Sequence, residues 1–174
     1  MASSEHETKN VASVRCAVIT ISDTRTRETD TSGPLIRERL ESSGYAVIRH
    51  EILPDDPGVV RKLITELCDD PACHAILLTG GTGLAPRDTT YEAIAALLDK
   101  RLDGFGELFR MLSYNEIGAP AMLSRATAGV CGSTLIFSMP GSTGAVRLAM
   151  EKLILPELGH LTALVNQTAG ETQA

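Results

Sequence analysis

The stretch Ala75-Ile76-Leu77-Leu78-Thr79-Gly80-Gly81-Thr82-Gly83 lies near the middle of the 174-residue chain and decides its fold. Its apolar start has the length and composition of a strand buried on both faces, as in a parallel sheet. The glycines that follow can adopt positive φ and let a ligand approach the bare backbone. Successive N–H groups in such a turn can converge on an anion. The stretch therefore predicts a central strand that runs into an anion-binding loop.

This glycine-rich loop matches neither of the two common phosphate-binding motifs. No lysine follows the glycines, and Pro86 stands where a dinucleotide fingerprint needs its third glycine. A tight turn without any ligand is the alternative interpretation. The position of the loop at the carboxyl end of a strand favours the interpretation as a ligand-binding loop.

The composition is that of an ordinary globular domain, with 43% hydrophobic and 22% charged residues. The net charge of −6 provides no basic field for nucleic acid, and the 3% of aromatic residues, without Trp, provide no base-stacking platform. We therefore expect no nucleic-acid partner. An anionic ligand has to be held locally, by backbone N–H groups, by Arg25, Arg27 or Arg87, or by a metal.

The four cysteines and four histidines show no spacing typical of a zinc site. Cys16 lies in an apolar segment and is expected to be a buried thiol. The N-terminus has no apolar signal region, and no apolar run is long enough to span a membrane. We expect a cytoplasmic protein without a membrane partner. One domain should occupy residues 13–165, between a disordered tail at 1–12 and a polar tail at 166–174.

Apolar strand patterns alternate with amphipathic helix patterns along this domain, which predicts an α/β fold. We expect a three-layer architecture with a mostly parallel central sheet and helices on both faces. The strands predicted at 126–130 and 134–139 are joined by so short a turn that they must form one antiparallel pair.

Helix boundaries are predicted from capping signals. Ser32 and Ser142 are expected to be N-caps, and Thr89 with Glu92 to form a capping box. Asp56, before Pro57, is a further N-cap, which leaves Asp55 without a local structural role. Pro156 is expected to limit the last helix.

Three loops rich in polar residues follow strands, at 22–31, 80–88 and 140–143. The carboxyl ends of parallel strands lie at one edge of a sheet, where open α/β proteins bind their ligands. We therefore expect these loops to converge on a single site.

Several of these segments carry a family likeness. Thr79-Gly80-Gly81-Thr82-Gly83, Arg87-Asp88-Thr89-Thr90, Gly104-Phe105-Gly106-Glu107, Leu123-Ser124-Arg125 and Met139-Pro140-Gly141-Ser142 follow one another in this order. The ordered set resembles the MoaB/MogA family of molybdenum-cofactor biosynthesis over about residues 13–160, and is closest to its MoaB branch.

The resemblance implies a molybdopterin adenylyltransferase, which transfers AMP from ATP to the phosphate of molybdopterin with Mg²⁺ and releases pyrophosphate. Some MoaB proteins lack acidic residues after the second and third strands, whereas this sequence has Asp55 and Asp88 there. Both are the expected catalytic residues and metal ligands, with Asp88 the first choice. A charge that favours a helix N-terminus is the alternative role for Asp88.

The same resemblance implies the residues that bind substrate. They belong to the three loops and to the Ser-Arg pair, and each has a structural alternative such as a turn, a cap or a solvated charge. The residues are Asp23, Ser32, Gly33, Thr79, Gly80, Gly81, Thr82, Gly83, Arg87, Ser124, Pro140, Gly141 and Ser142.

Two other functions remain open from the sequence: a non-catalytic molybdopterin-binding scaffold or carrier, and a CinA-type nucleotide hydrolase. The resemblance also implies a homotrimer or homohexamer, and it suggests the molybdate-inserting enzyme of the pathway as a partner. Phe105, Phe109 and Leu112 favour self-association if they are exposed and simply fill the core if they are buried.

Overall fold

The structure, a computed structural model, describes residues 13–167. One sheet contains six strands: β1 (Arg15–Ile21), β2 (Ala46–Leu53), β3 (Ala75–Gly80), β4 (Lys100–Arg101), β5 (Thr127–Cys131) and β6 (Thr134–Met139). Their order is β2-β1-β3-β6-β5-β4. The first four strands in this order are parallel, and β5 pairs antiparallel with β6, as predicted. The short β4, which has no clear pattern in the sequence, adds to the far edge by pairing with β5.

Six α-helices accompany the sheet: α1 (Ser32–Ser42), α2 (Pro57–Asp69), α3 (Thr90–Ala95), α4 (Asp103–Ile117), α5 (Thr143–Ala149) and α6 (Leu155–Val165). A 3-10 helix covers Ala119–Leu123, and a π-helical segment covers Met150–Ile154. The first helix and the last three pack on one face of the sheet, and α2 and α3 pack on the other. The predicted three-layer α/β architecture is confirmed.

Alternate residues of β1 supply the two cores. Cys16 and Val18 face α1, whereas Ala17 and Ile19 face α2, and all four are fully buried. A strand with both faces covered has to be apolar at every position, which explains its continuous apolar pattern. The expectation that Cys16 is a buried thiol is confirmed.

The last helix does not stop at Pro156. Proline has no N–H to donate to the carbonyl four residues earlier, so an ordinary α-helical turn is interrupted there. The backbone widens instead into the π-helical segment, in which Leu155 N donates to Met150 O, and helical backbone continues to Val165. The prediction that Pro156 limits the helix is therefore wrong.

Two of the predicted caps are present. The Asp56 carboxylate accepts hydrogen bonds from Gly58 N and Val59 N, and the Ser142 hydroxyl accepts one from Ala145 N. The capping box at α3 is absent, because Thr89 makes no side-chain capping bond and Glu92 pairs with Arg125.

The cap predicted at Ser32 is also wrong. The Asp30 carboxylate accepts hydrogen bonds from Ser32 N and Gly33 N, each at 3.1 Å, and so caps α1 from two residues upstream. The Ser32 hydroxyl donates instead to the carbonyl of Gly141.

No helix within residues 13–167 is long and apolar enough to cross a membrane. The predicted tails at 1–12 and 166–174 lie outside the described residues, apart from Asn166 and Gln167.

Asp56 provides a test of the capping assignment. Asp56→Ala removes the acceptor for two N–H groups of the first turn of α2, and should lower the free energy of unfolding by about 1 kcal/mol. Asp56→Asn keeps an acceptor oxygen and should leave stability nearly unchanged. Urea denaturation monitored by circular dichroism measures both. Equal losses in the two variants would contradict the assignment.

Candidate functional site

The site lies where the chain reverses its direction of winding. β1 and β3 are neighbours in the sheet, yet the helix after β1 covers one face and the helix after β3 covers the other. The two loops that leave these strands therefore diverge and open a crevice between them, which is where open α/β proteins bind ligands.

A cavity of about 320 Å³ occupies this crevice. Its lining comes from all three loops predicted to converge and from the strand ends before them: Thr20, Ile21, Ser22, Arg25, Asp30, Ser32, Thr79, Gly80, Gly141 and Ser142. The predicted convergence of the loops is thus present. Thr20 and Asp30 were missed by sequence reasoning, because a threonine inside a strand and an aspartate before a helix have no distinctive pattern.

The glycine loop needs glycine for two physical reasons. Gly80 and Gly81 have φ of +93° and +67°, a region that other residues rarely adopt. A Cβ atom on Gly80 would also lie 2.2 Å from the carbonyl oxygen of Ile21. Within the described residues, the backbone N–H groups of Thr82, Gly83 and Leu84 have no acceptor. They are available to an anion.

Gly83 has a different role, since its φ is ordinary and the constraint is space. A Cβ atom there would lie 2.2 Å from Asp88 Oδ2, the oxygen that accepts a hydrogen bond from Ala85 N at 2.9 Å. The missing side chain of Gly83 therefore makes room for the Asp88 carboxylate, and this links the glycine loop to the acidic residue.

The two predicted acidic residues come together beside the crevice. Asp55 and Asp88 line a small cavity of about 60 Å³ with Asp23 and Arg87. Asp23 Oδ1 accepts a hydrogen bond from Asp55 N at 2.9 Å, which fixes the loop after β2. The Arg87 guanidinium is 3.9 Å from the Asp23 carboxylate and 3.8 Å from that of Asp88, and its side chain is 80% exposed.

These residues fit a hard divalent cation. Asp55 Oδ1 is buried without a hydrogen-bond partner among the described residues, and Asp55 lines the same small cavity as Asp88. Residues 13–167 contain no group of three or more His, Cys, Asp and Glu side chains arranged for a metal. Mg²⁺ needs only one or two protein carboxylates, because water and substrate phosphates complete its octahedron.

Asp30 organises the other side of the crevice. Its carboxylate is buried, accepts a hydrogen bond from Thr20 Oγ1 at 2.7 Å and caps α1. The hydroxyl groups of Thr31 and Thr143 are 3.0 Å apart, so the start of α1 is held against the start of α5. The position of the loop after β6 thus depends on the loop after β1.

A larger cavity of about 600 Å³ adjoins the first, and Asp30 borders both. His50 and Arg37 line it beside the edge strand β2. Burial lowers the pKa of His50, although the nearby Asp30 carboxylate partly opposes this shift. The neutral imidazole is therefore favoured at neutral pH.

Not every predicted site residue lines the crevice. Ser124 accepts a hydrogen bond from Ala126 N within its own turn, and Gly33 leaves room for Asp30 and His50 beside it. Thr79 does line the crevice, but it is fully buried and its hydroxyl donates to the carbonyl of Pro140. Thr79 and Pro140 therefore hold the loops after β3 and β6 together.

The two buried thiols, Cys16 and Cys73, do not offer a nucleophile. Burial raises the pKa of Cys16 to about 12 and that of Cys73 to about 11. Both groups stay protonated at neutral pH, and neither lines the crevice.

Fold and crevice together define an open α/β protein with a candidate ligand site at a topological switch point. Residues 17–160 match the family described as "Probable molybdopterin binding domain", and the chain belongs to this family.

Individual relatives agree with this assignment over nearly the whole chain. A protein of Bacillus cereus named Molybdenum cofactor biosynthesis protein B is 53% identical over 163 residues, which cover 93% of this chain and 96% of that protein. The crystal structure of a Molybdenum cofactor biosynthesis protein B has 52% identity and a TM-score of 0.88, over 92% of this chain and 100% of the other. The crystal structure of the tungsten cofactor synthesizing protein MoaB from Pyrococcus furiosus has 36% identity and a TM-score of 0.80, and the match covers 90% of this chain and 99% of the other.

Gly81→Val tests whether the glycine loop binds ligand through its backbone. The new Cβ would be 3.1 Å from methyl groups of Ile21 and Thr90, at a φ that valine resists. We expect molybdopterin affinity to fall at least about tenfold, because displaced N–H groups no longer converge on the ligand. Titration calorimetry measures the affinity, and circular dichroism checks the fold.

Gly104→Val is the matched control, since a side chain at Gly104 meets open space in the first turn of α4. Unchanged affinity in both variants would mean that the glycine loop is only a turn.

Proposed function

We propose that this protein acts in molybdenum-cofactor biosynthesis as a molybdopterin adenylyltransferase. The observation that carries the proposal is the pair Asp55 and Asp88, which line one small cavity beside the crevice. The names of the relatives support the pathway, and the retained carboxylates support catalysis rather than binding alone.

The reaction needs no protein nucleophile. An oxygen of the molybdopterin phosphate attacks the α-phosphorus of ATP, a new P–O bond forms, and the bond to the β-phosphate breaks to release pyrophosphate. No proton has to move in this exchange. The obstacle is the approach of several negative charges, so catalysis is positioning and charge stabilisation.

The crevice supplies the positioning. The free N–H groups after Gly81 and the N-terminus of α5, next to Ser142, are donors suited to phosphate oxygens. Arg25, which lines the cavity, adds a fixed positive charge. The buried Asp30 carboxylate can accept hydrogen bonds from the N–H groups of a pterin or a ribose hydroxyl.

Asp55 and Asp88 are the residues that would hold Mg²⁺ in the small cavity. When bound there, the ion neutralises phosphate charge and polarises the phosphoryl oxygens. Asp23 fixes the Asp55 backbone, and Gly83 leaves the space that Asp88 occupies. Arg87 is exposed enough to turn from these carboxylates toward a polyphosphate.

Substitution of the neighbouring aspartates separates metal binding from capping. Asp88→Asn and Asp55→Asn each remove a negative charge that holds Mg²⁺. Loss of this metal contact should raise the activation free energy by about 3 kcal/mol, which slows adenylyl transfer roughly a hundredfold. Asp56→Asn keeps the cap and should leave the rate nearly unchanged. Release of pyrophosphate from ATP in the presence of molybdopterin and Mg²⁺ is the measurement.

Molybdopterin affinity should change little in all three variants. An inactive Asp56→Asn beside a normal Asp55→Asn would reverse the assignment of cap and ligand. Binding of molybdopterin without any pyrophosphate release by the wild type would favour the scaffold function.

We also propose that the chain is a homotrimer or homohexamer, although not through the residues that the sequence indicated. Phe105 and Phe109 are buried in the core, and Leu112 packs against it. The opposite face of α4 and the 3-10 helix after it expose a different set of apolar side chains: Leu108, Met111, Tyr114, Ile117, Met122 and Leu123. Such a patch is typical of a protein–protein contact.

Charge placed on this patch should block self-association. Met111→Glu together with Met122→Glu would put two carboxylates on side chains that are 55% and 78% exposed, so the isolated chain should still fold. Light scattering at micromolar concentration should give a trimeric or hexameric mass for the wild type and a smaller one for the variant. A monomeric wild type would contradict the proposal.

A further inference from the structure

Arg125, at the approach to β5, makes an unusual set of contacts with the glycine loop. Its Nε donates to the carbonyl of Thr82 at 3.2 Å. One terminal nitrogen donates to the carbonyl of Gly83 and also to that of Asp88, the latter at 3.2 Å. A single side chain from a distant part of the sequence thus binds three carbonyls of the loop that carries Asp88.

The rest of the guanidinium group is held in place by α3. The other terminal nitrogen pairs with the Glu92 carboxylate, and the group lies 4.4 Å from the centroid of the Tyr91 ring. The Arg125 side chain is only 18% exposed. All three of its nitrogens already have acceptors, so Arg125 is not a phosphate-binding cation.

The contacts determine which way the loop N–H groups point. In a trans peptide the C=O and the following N–H point in opposite directions. Because the carbonyls of Thr82 and Gly83 face Arg125, the N–H groups of Gly83 and Leu84 face away from it. These are N–H groups that have no acceptor within the described residues.

Core packing does not fix this loop by itself. Residues 83–87 are exposed, and the Leu84 side chain is 61% exposed instead of packing inward. The glycines add conformational freedom. The segment makes few hydrogen bonds of its own: Ala85 N donates to the Asp88 carboxylate, and two short turn bonds lie within residues 85–89. Among the described residues, the other hydrogen bonds that hold it come from Arg125.

We propose that Arg125 is a positioning residue, which holds the glycine loop so that its free N–H groups face the substrate phosphate and Asp88 faces the metal cavity. The catalytic part of this inference rests on the proposed function. A lysine would not replace it, because the planar fork of arginine reaches several carbonyls at fixed angles and an ammonium group does not.

The test uses Arg125→Lys and Arg125→Gln in the full chain. Arg110→Gln is the matched control, because Arg110 also donates to a backbone carbonyl, that of Ala126, but does not contact the glycine loop. Amide hydrogen exchange of residues 82–88 is measured without ligand, together with molybdopterin affinity, kcat, and KM for ATP.

We expect exchange of the Ala85 and Asp88 amides, which are the hydrogen-bonded amides of this segment, to rise about tenfold in Arg125→Gln and less in Arg125→Lys, while the strand amides keep their protection. We expect kcat to fall roughly tenfold to a hundredfold through misplaced reacting groups, with a smaller change in KM. Arg110→Gln should leave all of these values near those of the wild type.

If Arg125 had a purely structural role, its substitution would raise amide exchange across the whole sheet and lower the melting temperature, while kcat of the folded fraction stayed unchanged. That result would overturn the proposal. Unchanged loop exchange and unchanged kcat would overturn it as well. A wild type that releases no pyrophosphate would refute the proposed function alone. Loop exchange and molybdopterin affinity would then decide the role of Arg125.

Discussion

The close approach of two parallel strands at their carboxyl ends is the constraint on which the rest of this structure depends. A side chain on Gly80 would collide with the carbonyl of Ile21, so β1 and β3 can run side by side to this point only because the residue is glycine. Beyond it the two chains leave toward opposite faces of the sheet. The divergence opens the crevice, and it places Asp30 on one wall and Gly80, where the glycine loop begins, on the other.

Local electrostatics have to overcome an unfavourable overall charge. The chain carries a net charge of −6, so its general field repels an anionic ligand. Next to the crevice, the glycine loop offers backbone N–H donors, whose partial charges act over short distances and are aligned by the fold. Two carboxylates in an adjacent small cavity offer a place for a divalent cation, which would reverse the local sign of the charge. The proposed phosphoryl transfer would therefore need no cysteine or histidine nucleophile at this site.

The neighbouring residues Asp55 and Asp56 illustrate how far local patterns can be interpreted. Pro57 marks the first position of a helix, which assigns the cap to Asp56 and leaves Asp55 free for another role, and the structure has Asp56 as the cap. The same reasoning failed at Ser32, because serine fits a cap pattern equally well whether or not an aspartate two residues earlier reaches the same N–H groups. For Phe105 and Phe109 the sequence left core and contact surface open, because an amphipathic helix shows that one face is buried without showing what buries it, and the structure places both residues in the core.

The sequence by itself determined the alternation of strands and helices, the parallel centre of the sheet, the antiparallel hairpin, and the three loops that form the crevice. These features depend on hydrophobic periodicity and on turn residues, which act over a few neighbouring positions. Only the tertiary structure decided that Asp30 joins the crevice, that Ser124 does not, and that Arg125 binds the glycine loop from about 40 residues away. Such contacts depend on the distance between side chains after the sheet has formed, and no local pattern encodes that distance.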